Sequence, residues 1–284
     1  MTHVSIQVTA WEKPELTRKC IDAITYNWKT FHHDMFFDIV VLDDASKQPE
    51  TLLLYDELRE RDIRILQKPF SCGLPDSRNL GLHYATKNPN KTDMSSPFAY
   101  VAQISNDVCV CGNWLRNLIA FLEKGYGPAG KKVVTASPVW RNYGPQPHPW
   151  SEEQTLLRWH KDASFSALDD YARDFENKWG HWDSGENDQS FFGGLVVFNP
   201  RVLLEELGWF DPRYYAFYED NDTMQRANSR NIVCASIGKA WVHHLGGETI
   251  SKPNIIGDHD GWEWERKQQV KLRTESQGRV FQWG

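Results

Sequence analysis

Carboxylates recur at the ends of apolar runs in this 284-residue chain. Asp38-Ile-Val-Val-Leu42 runs directly into Asp43-Asp44-Ala45-Ser46, and the run from Phe98 to Ile104 ends in Ser105-Asn106-Asp107. Short apolar runs of this kind read as buried strands, so each strand delivers acidic side chains at its C-terminal end. One such residue can do no more than cap the next helix, a reading that suits Asp43 taken alone. Two acidic strand ends in succession suit a metal-bound diphosphate, because carboxylate oxygens are the ligands that hard divalent cations take. Further on, Glu219-Asp220-Asn221-Asp222 opens a helical pattern, where carboxylates also complement the positive end of the helix dipole. His243-His244 stands before Leu245-Gly246-Gly247.

The elements that must position these residues alternate. Val4–Val8 reads as a strand, Pro14 as a first helical position, and Leu16, Cys20, Ile24 and Trp28 as a buried stripe at i, i+4 spacing. A helix over Glu50–Arg61, a strand over Ile63–Leu66 and a helix from Pro75 to about Tyr84 follow. Strands alternating with helices predict an α/β fold with a mostly parallel sheet and right-handed crossovers. Ligands of such sheets bind beyond the carboxyl ends of the strands, where both acidic clusters lie. Neither G-x-G-x-x-G after the first strand nor G-x-x-x-x-G-K-[ST] occurs, which removes the usual dehydrogenase and P-loop readings. The segment from about 138 to 190, with Pro138, Pro145, Pro147 and Pro149, reads as a long irregular excursion with short helices. A strand then starts at Gly193-Gly194, where glycine lets another group approach closely. A helix over Pro200–Leu207 leads to Gly208-Trp209-Phe210-Asp211, a helix from Tyr218 ends near Asn231, and Ile232–Ile237 is a strand. Residues 251–284 form a polar appendage.

Composition narrows the function classes. A net charge of −6 argues against general nucleic-acid binding. No apolar run approaches the ~20 residues of a membrane span, and no signal-peptide pattern precedes Val4. Five scattered cysteines argue against a disulfide framework and for reduced thiols in a cytoplasmic compartment. Thirteen tryptophans can fill a core or stack on sugar faces.

Taken in order, the segments Gly193-Gly-Leu-Val-Val-Phe198, Gly208-Trp-Phe-Asp211, Tyr218-Glu-Asp-Asn-Asp-Thr-Met-Gln-Arg226 and His243-His-Leu-Gly-Gly247 resemble glycosyltransferase family 2, most of all its rhamnosyltransferase-like branch. The resemblance runs from about Val4 to Ile250. It implies a GT-A fold over 1–250, with a Rossmann-like nucleotide-sugar half over about 1–110 and an acceptor and catalytic half over 111–250. The implied activity is inverting transfer from a UDP- or dTDP-sugar to a hydroxyl of a glycan or lipid-linked saccharide, as in polysaccharide biosynthesis, in the cytoplasm or at the periphery of a membrane. By the same resemblance Thr9, Ala10 and Trp11 line the base pocket with Asp43, and Asp44 accepts from a uracil or thymine N3–H. The alternative for Asp44 is a cap on the helix near Pro49. Arg78 contacts base or diphosphate, or else makes a surface salt bridge. Asn106-Asp107 falls where the family binds Mn²⁺ or Mg²⁺, although Asn106 is neutral and leaves Asp107 as a single carboxylate. His244, or else His243, adds a ligand, since strand alternation turns only one toward the site. Asp220 is the general base and Glu219 binds the acceptor or orients the site. Gly193, Gly194, Trp182 and Trp209 are candidate donor or acceptor contacts, with core packing as the alternative for each tryptophan. Two further readings are a sugar-nucleotide nucleotidyltransferase, which the segment Thr9–Pro14 counts against, and a non-catalytic carbohydrate-binding protein.

Overall fold

Proline stands in the first turn of four helices, where its missing N–H costs nothing and its fixed φ favours helix entry: α1 (Pro14–Phe31), α2 (Pro49–Glu60), α3 (Leu74–Thr86) and α6 (Pro200–Glu206). The computed structural model describes residues 2–87, 98–127, 130–140, 163–181, 183, 193–214 and 219–245. Its strands are β1 (His3–Ala10), β2 (Phe36–Asp43), β3 (Arg64–Gln67), β4 (Tyr100–Ser105), β5 (Val108–Val110), β6 (Val133–Trp140), β7 (Leu195–Phe198) and β8 (Val233–His244). The remaining helices are α4 (Trp114–Glu123), α5 (Phe165–Trp179) and α7 (Glu219–Ser229).

All eight strands join one sheet in the order β3-β2-β1-β4-β7-β6-β8-β5. The first half is parallel, as the alternation predicts: β1 lies between β2 and β4, and β3 flanks β2. The second half is mixed. β7 runs antiparallel to both β4 and β6, β8 is parallel to β6, and the short β5 is antiparallel to β8.

Period-2 alternation along the strands sorts side chains into two cores, one on each face of the sheet. Ala102 and Ile104 of β4 and Leu195 and Val197 of β7 join α1, α2, α4 and α5 on one face. Val101, Val196 and Phe198 join α3, α6 and α7 on the other. Helix α3 lies especially close to its strands. A Cβ on Gly81 would stand 2.1 Å from Gln7 Oε1 and 2.7 Å from Leu42 Cδ1.

Two local expectations are corrected. The buried stripe of α1 is rotated: Cys20 and Ile24 are buried with Thr17, Ile21 and Asn27, while Trp28 is exposed. Asn27 goes inside because both ends of its amide find partners, Gly112 O at 3.0 Å and Trp114 Nε1 at 3.0 Å. The stretch read as irregular from 138 holds the end of β6 and all of α5, a 15-residue helix. Its stripe of Leu168, Ala172 and Phe175 is buried, and Ser164 Oγ caps it by accepting from Ala167 N. The appendage at 251–284 lies outside the described residues.

Candidate active site

Parallel register brings three strand ends to one level. Ala10 pairs with Asp43, and Thr9 pairs with Ser105. Thr9-Ala10-Trp11, Asp43-Asp44 and Asn106-Asp107 therefore emerge together at the carboxyl edge, with the Trp11 side chain exposed.

The two carboxylates of Asp43-Asp44 part company at a turn where Ala45 has φ 65°. Asp43 is fully buried. One of its oxygens accepts from the hydroxyls of Ser46 and Tyr55, at 2.5 and 2.6 Å, and the other from Ser46 N at 2.9 Å. Burial and the adjacent Asp43 charge hold the Tyr55 phenol well above its usual range, so it stays a donor. Asp44 instead organises the loop before α3. It accepts from Ser71 Oγ at 2.7 Å, Cys72 N at 2.9 Å and Gly73 N at 3.0 Å, and pairs with Lys68 Nζ at 2.5 Å. Lys68, also buried, donates to Gly73 O at 3.2 Å. Gly73, with φ 88°, takes up a backbone conformation that disfavours a side chain.

The antiparallel pairing of β5 with β8 sets Val108 opposite His244. Leu245 N donates to Asp107 O at 2.9 Å, and His244 Nε2 lies 3.2 Å from Asp107 Oδ2. One carboxylate oxygen and one imidazole nitrogen thus converge, a mixed donor set that suits a transition ion such as Mn²⁺ better than the all-oxygen preference of Mg²⁺ when other oxygens complete the sphere. Among the described residues no group of three or more His, Cys, Asp or Glu could hold a metal. An ion here would depend on diphosphate oxygens for the rest of its shell.

Beside this pair lies the junction of β4 and β7. Ser105 N donates to Gly194 O at 2.7 Å. A Cβ on the neighbouring Gly193 would stand 3.1 Å from Asp220 Oδ2 and 3.6 Å from Glu219 Oε1. A side chain here would be in tight contact with the Asp220 carboxylate and in ordinary contact with that of Glu219. Glu219 is buried, and Arg78 faces it with Nη2 3.7 Å from Oε1 while donating to Gly193 O. Burial pushes Glu219 well above the usual carboxylate range, and the Asp220 charge adds to this; Arg78 pulls it back only in part. Asp220 is also raised by burial, against the Asn221 N–H it accepts at 2.7 Å and the Arg78 charge. Desolvation outweighs both the cation and the helix dipole at this terminus.

The family model for glycosyl transferase family 2 matches residues 5–177, more than half of the chain. The chain belongs to glycosyl transferase family 2. No curated protein matches it in sequence. Solved structures of similar fold include a mannosyltransferase, PcManGT from Pyrobaculum calidifontis, in complex with GDP-Man and Mn²⁺. It has a TM-score of 0.53 at 17% identity, over 98% of this chain and 65% of its own. TarS of S. aureus (1–349) gives 0.52 at 13% identity, over 96% and 65%. GalNAc-T7 with UDP, GalNAc and Mn²⁺ gives 0.56 at 14%, over 89% and 46%. At such identities the likeness is one of fold, and this chain spans about two thirds or less of the length of these three proteins. The mixed α/β sheet with flanking helices is the GT-A arrangement they share.

Several of the predicted residues lie along the carboxyl edge of the sheet, with some corrections. His243 does not face Asp107: it is buried, its ring 6.1 Å from that of Trp241, and alternation leaves His244 at the site. Asp43 shapes the turn from inside, because its carboxylate is fully enclosed. The cap that Asp44 makes is on the loop before α3, not on the helix at Pro49. Arg78 makes no surface salt bridge; it is 1% exposed and packs over the Phe210 ring, 5.4 Å from its centroid. Asn106 is buried and donates to Thr17 Oγ1 at 2.9 Å, and Thr9 Oγ1 donates to Ile104 O at 3.3 Å. Trp209 is exposed on the turn after α6, whereas Phe210 beside it is buried. Trp182 lies outside the described residues. Sequence reasoning missed Lys68, Ser71 and Asn79. Lys68 follows an exposed strand end in the pattern Gln-Lys-Pro and carries no sign of burial. Asn79 is legible only as the neighbour of Arg78, yet its amide clamps Phe210 by two bonds, to O at 2.9 Å and from N at 3.0 Å. No helix among the described residues is long and apolar enough to cross a membrane.

Proposed function

We propose that this chain is an inverting glycosyltransferase that moves a sugar from a UDP- or dTDP-sugar to a hydroxyl of a glycan or lipid-linked saccharide. The observation that supports the reading is the seam at Gly193-Gly194: Gly193 lies against the Glu219-Asp220 pair, and Gly194 O accepts from Ser105 N, two residues before Asp107. An in-line displacement needs a base and a leaving-group site on either side of the anomeric carbon, and the reading assigns these parts to the two pairs near this seam. The acceptor oxygen forms a bond to the anomeric carbon as the bond to the diphosphate oxygen breaks. The acceptor proton passes to the Asp220 carboxylate, and the nucleoside diphosphate departs. General-base assistance of this kind contributes about 10²–10⁴-fold. Glu219, deeper and beside Arg78, orients the pair.

Asp107 and His244 would hold a divalent ion, whose chemistry is to neutralise charge developing on the departing diphosphate. Trp11 offers an exposed aromatic face for the base, beside Thr9 and Ala10. Asp44 fixes the loop before α3, and in this reading a base N3–H shares its carboxylate with those partners. The donor half covers about 1–110 and the acceptor half 111–250. The reading places the enzyme in the cytoplasm, at a membrane surface when the acceptor is lipid-linked.

Calorimetric titration of UDP, dTDP, GDP and CDP, with and without Mn²⁺, tests the donor. UDP or dTDP binding that strengthens with Mn²⁺ supports the reading; GDP preference moves the donor class, and binding of none favours a carbohydrate-binding protein. Asp220→Asn should keep nucleotide affinity and lose about 10²–10⁴-fold in turnover. Unchanged turnover would remove Asp220 as the base.

A further inference from the structure

Helix α3 begins at the donor loop and ends its reach at the catalytic pair. The two residues that lead into it are tied to Asp44 through the Cys72 and Gly73 N–H groups. One turn further on, Arg78 donates to Gly193 O and faces Glu219, and Asn79 clamps Phe210. Beneath α3 lies a buried pair of strand glutamines. Gln103 Nε2 of β4 donates to Arg78 O at 2.8 Å and to Gln7 Oε1 at 3.0 Å, and Gln7 Nε2 of β1 donates to Gly81 O at 2.7 Å. Helix carbonyls normally need no such side-chain partner. Two of them receiving buried amide donors fixes the height and rotation of α3 on the sheet.

We propose that Arg78 is a positioning residue for the Glu219-Asp220 pair and not a nucleotide ligand, held at its post by Gln103 and Gln7. Three observations support this. The guanidinium is enclosed, with Phe210 across one face, so a diphosphate would have to displace packed groups to reach it. Its Gly193 contact lies on the same residue whose Cβ position would stand 3.1 Å from Asp220 Oδ2, so moving Arg78 moves the backbone beside the base. Its charge faces Glu219, while the cation nearest Asp44 is Lys68. Among the described residues, the charged groups around Glu219 are Asp220 from its own helix and Arg78 from α3. Removing the only cation of that set leaves two carboxylates facing each other.

The inference rests on the transferase reading for its meaning but can be tested without it. Infrared titration of the full chain would follow the carboxyl band lost in Glu219→Gln. In Arg78→Gln the Glu219 midpoint should move up by at least one pH unit, and in Arg78→Lys it should return most of the way. Denaturant unfolding of Arg78→Gln, Glu219→Gln and the double variant should show coupling, with the double more stable than additivity predicts; this comparison holds even where Arg78→Gln folds poorly alone. UDP, dTDP and GDP with Mn²⁺ should bind Arg78→Lys and the double variant within about three-fold of the parent. An unmoved Glu219 band with no coupling, or a loss of ten-fold or more in nucleotide affinity in both variants, would overturn the proposal. If the parent binds none of these nucleotides, the donor assignment fails, while the infrared band and the unfolding cycle still decide the role of Arg78.

Discussion

At the scale of single residues, the chemistry turns on how far carboxylates and imidazoles are removed from water. To serve as the proposed base Asp220 must be ionised, and both it and Glu219 are shifted upward by burial. The acidic limb of kcat/KM should therefore lie above the usual carboxylate range of about 4. Activity should appear as pH rises through that limb, and a limb at about 4 would show the pair to be solvated. At the neighbouring pair, His244 and His243 make opposite predictions. His244→Ala should weaken Mn²⁺ binding about 10–100-fold with little change in stability. His243→Ala should leave the ion's affinity unchanged and cost stability, because it removes a buried ring. Mn²⁺ titration and thermal unfolding of the two variants distinguish them.

At the scale of elements, α3 is the member that couples the halves of the site. It follows the loop tied to Asp44, and it carries Arg78 and Asn79 one turn in and Gly81 where a Cβ would meet Gln7 of β1 and Leu42 of β2. The Asn79 amide satisfies both main-chain groups of Phe210, so Asn79→Ala leaves two buried polar groups without their partner. A loss of about 1–3 kcal/mol is expected from denaturant unfolding. Gly81→Ala should cost a similar amount, about 1–3 kcal/mol, because its Cβ would overlap Gln7 and Leu42. A neutral result for Gly81→Ala would mean that α3 can rise off the sheet. Asn79→Asp, which keeps the acceptor but loses the donor, should fall between the parent and Asn79→Ala.

At the scale of the whole molecule, the two faces of the sheet are closed by different sets of helices, and the site edge is separated from the opposite edge by the length of the strands. His32 lies at that opposite edge, after the last turn of α1. It is fully buried against Phe37 and Trp114, and burial, with Arg116 nearby, lowers its pKa to about 4. A histidine held neutral in the fold and free to protonate when unfolded gives stability that is present above about 6.5 and lost as pH falls toward about 4. The sign follows because the unfolded chain binds the extra proton in that window. The loss should be on the order of 3 kcal/mol across it. His32→Phe should flatten this part of the stability curve; an unchanged slope would place the acid sensitivity in the carboxylates.

The sequence by itself determined the strands and helices of the first half, the acidic strand ends, and the family to which the chain belongs. These are local matters: apolar period, proline at helix starts and the order of short motifs are written along the chain. Strand alternation already implied that only one of His243 and His244 could face the site. Which one, and what it would meet, was decided by the antiparallel register of β5 on β8, a pairing of segments more than a hundred residues apart. The same holds for Asp44, whose partners come from the loop after β3, and for Arg78, whose burial against Glu219 depends on β7 running antiparallel beside β4. The polar α5 was hidden because its apolar stripe is short and its neighbours are charged, so only the face of the sheet it covers makes it a core helix. Side-chain type fixes what a residue can do, but burial and partners, which fix its charge and direction, arise only when distant elements close around it.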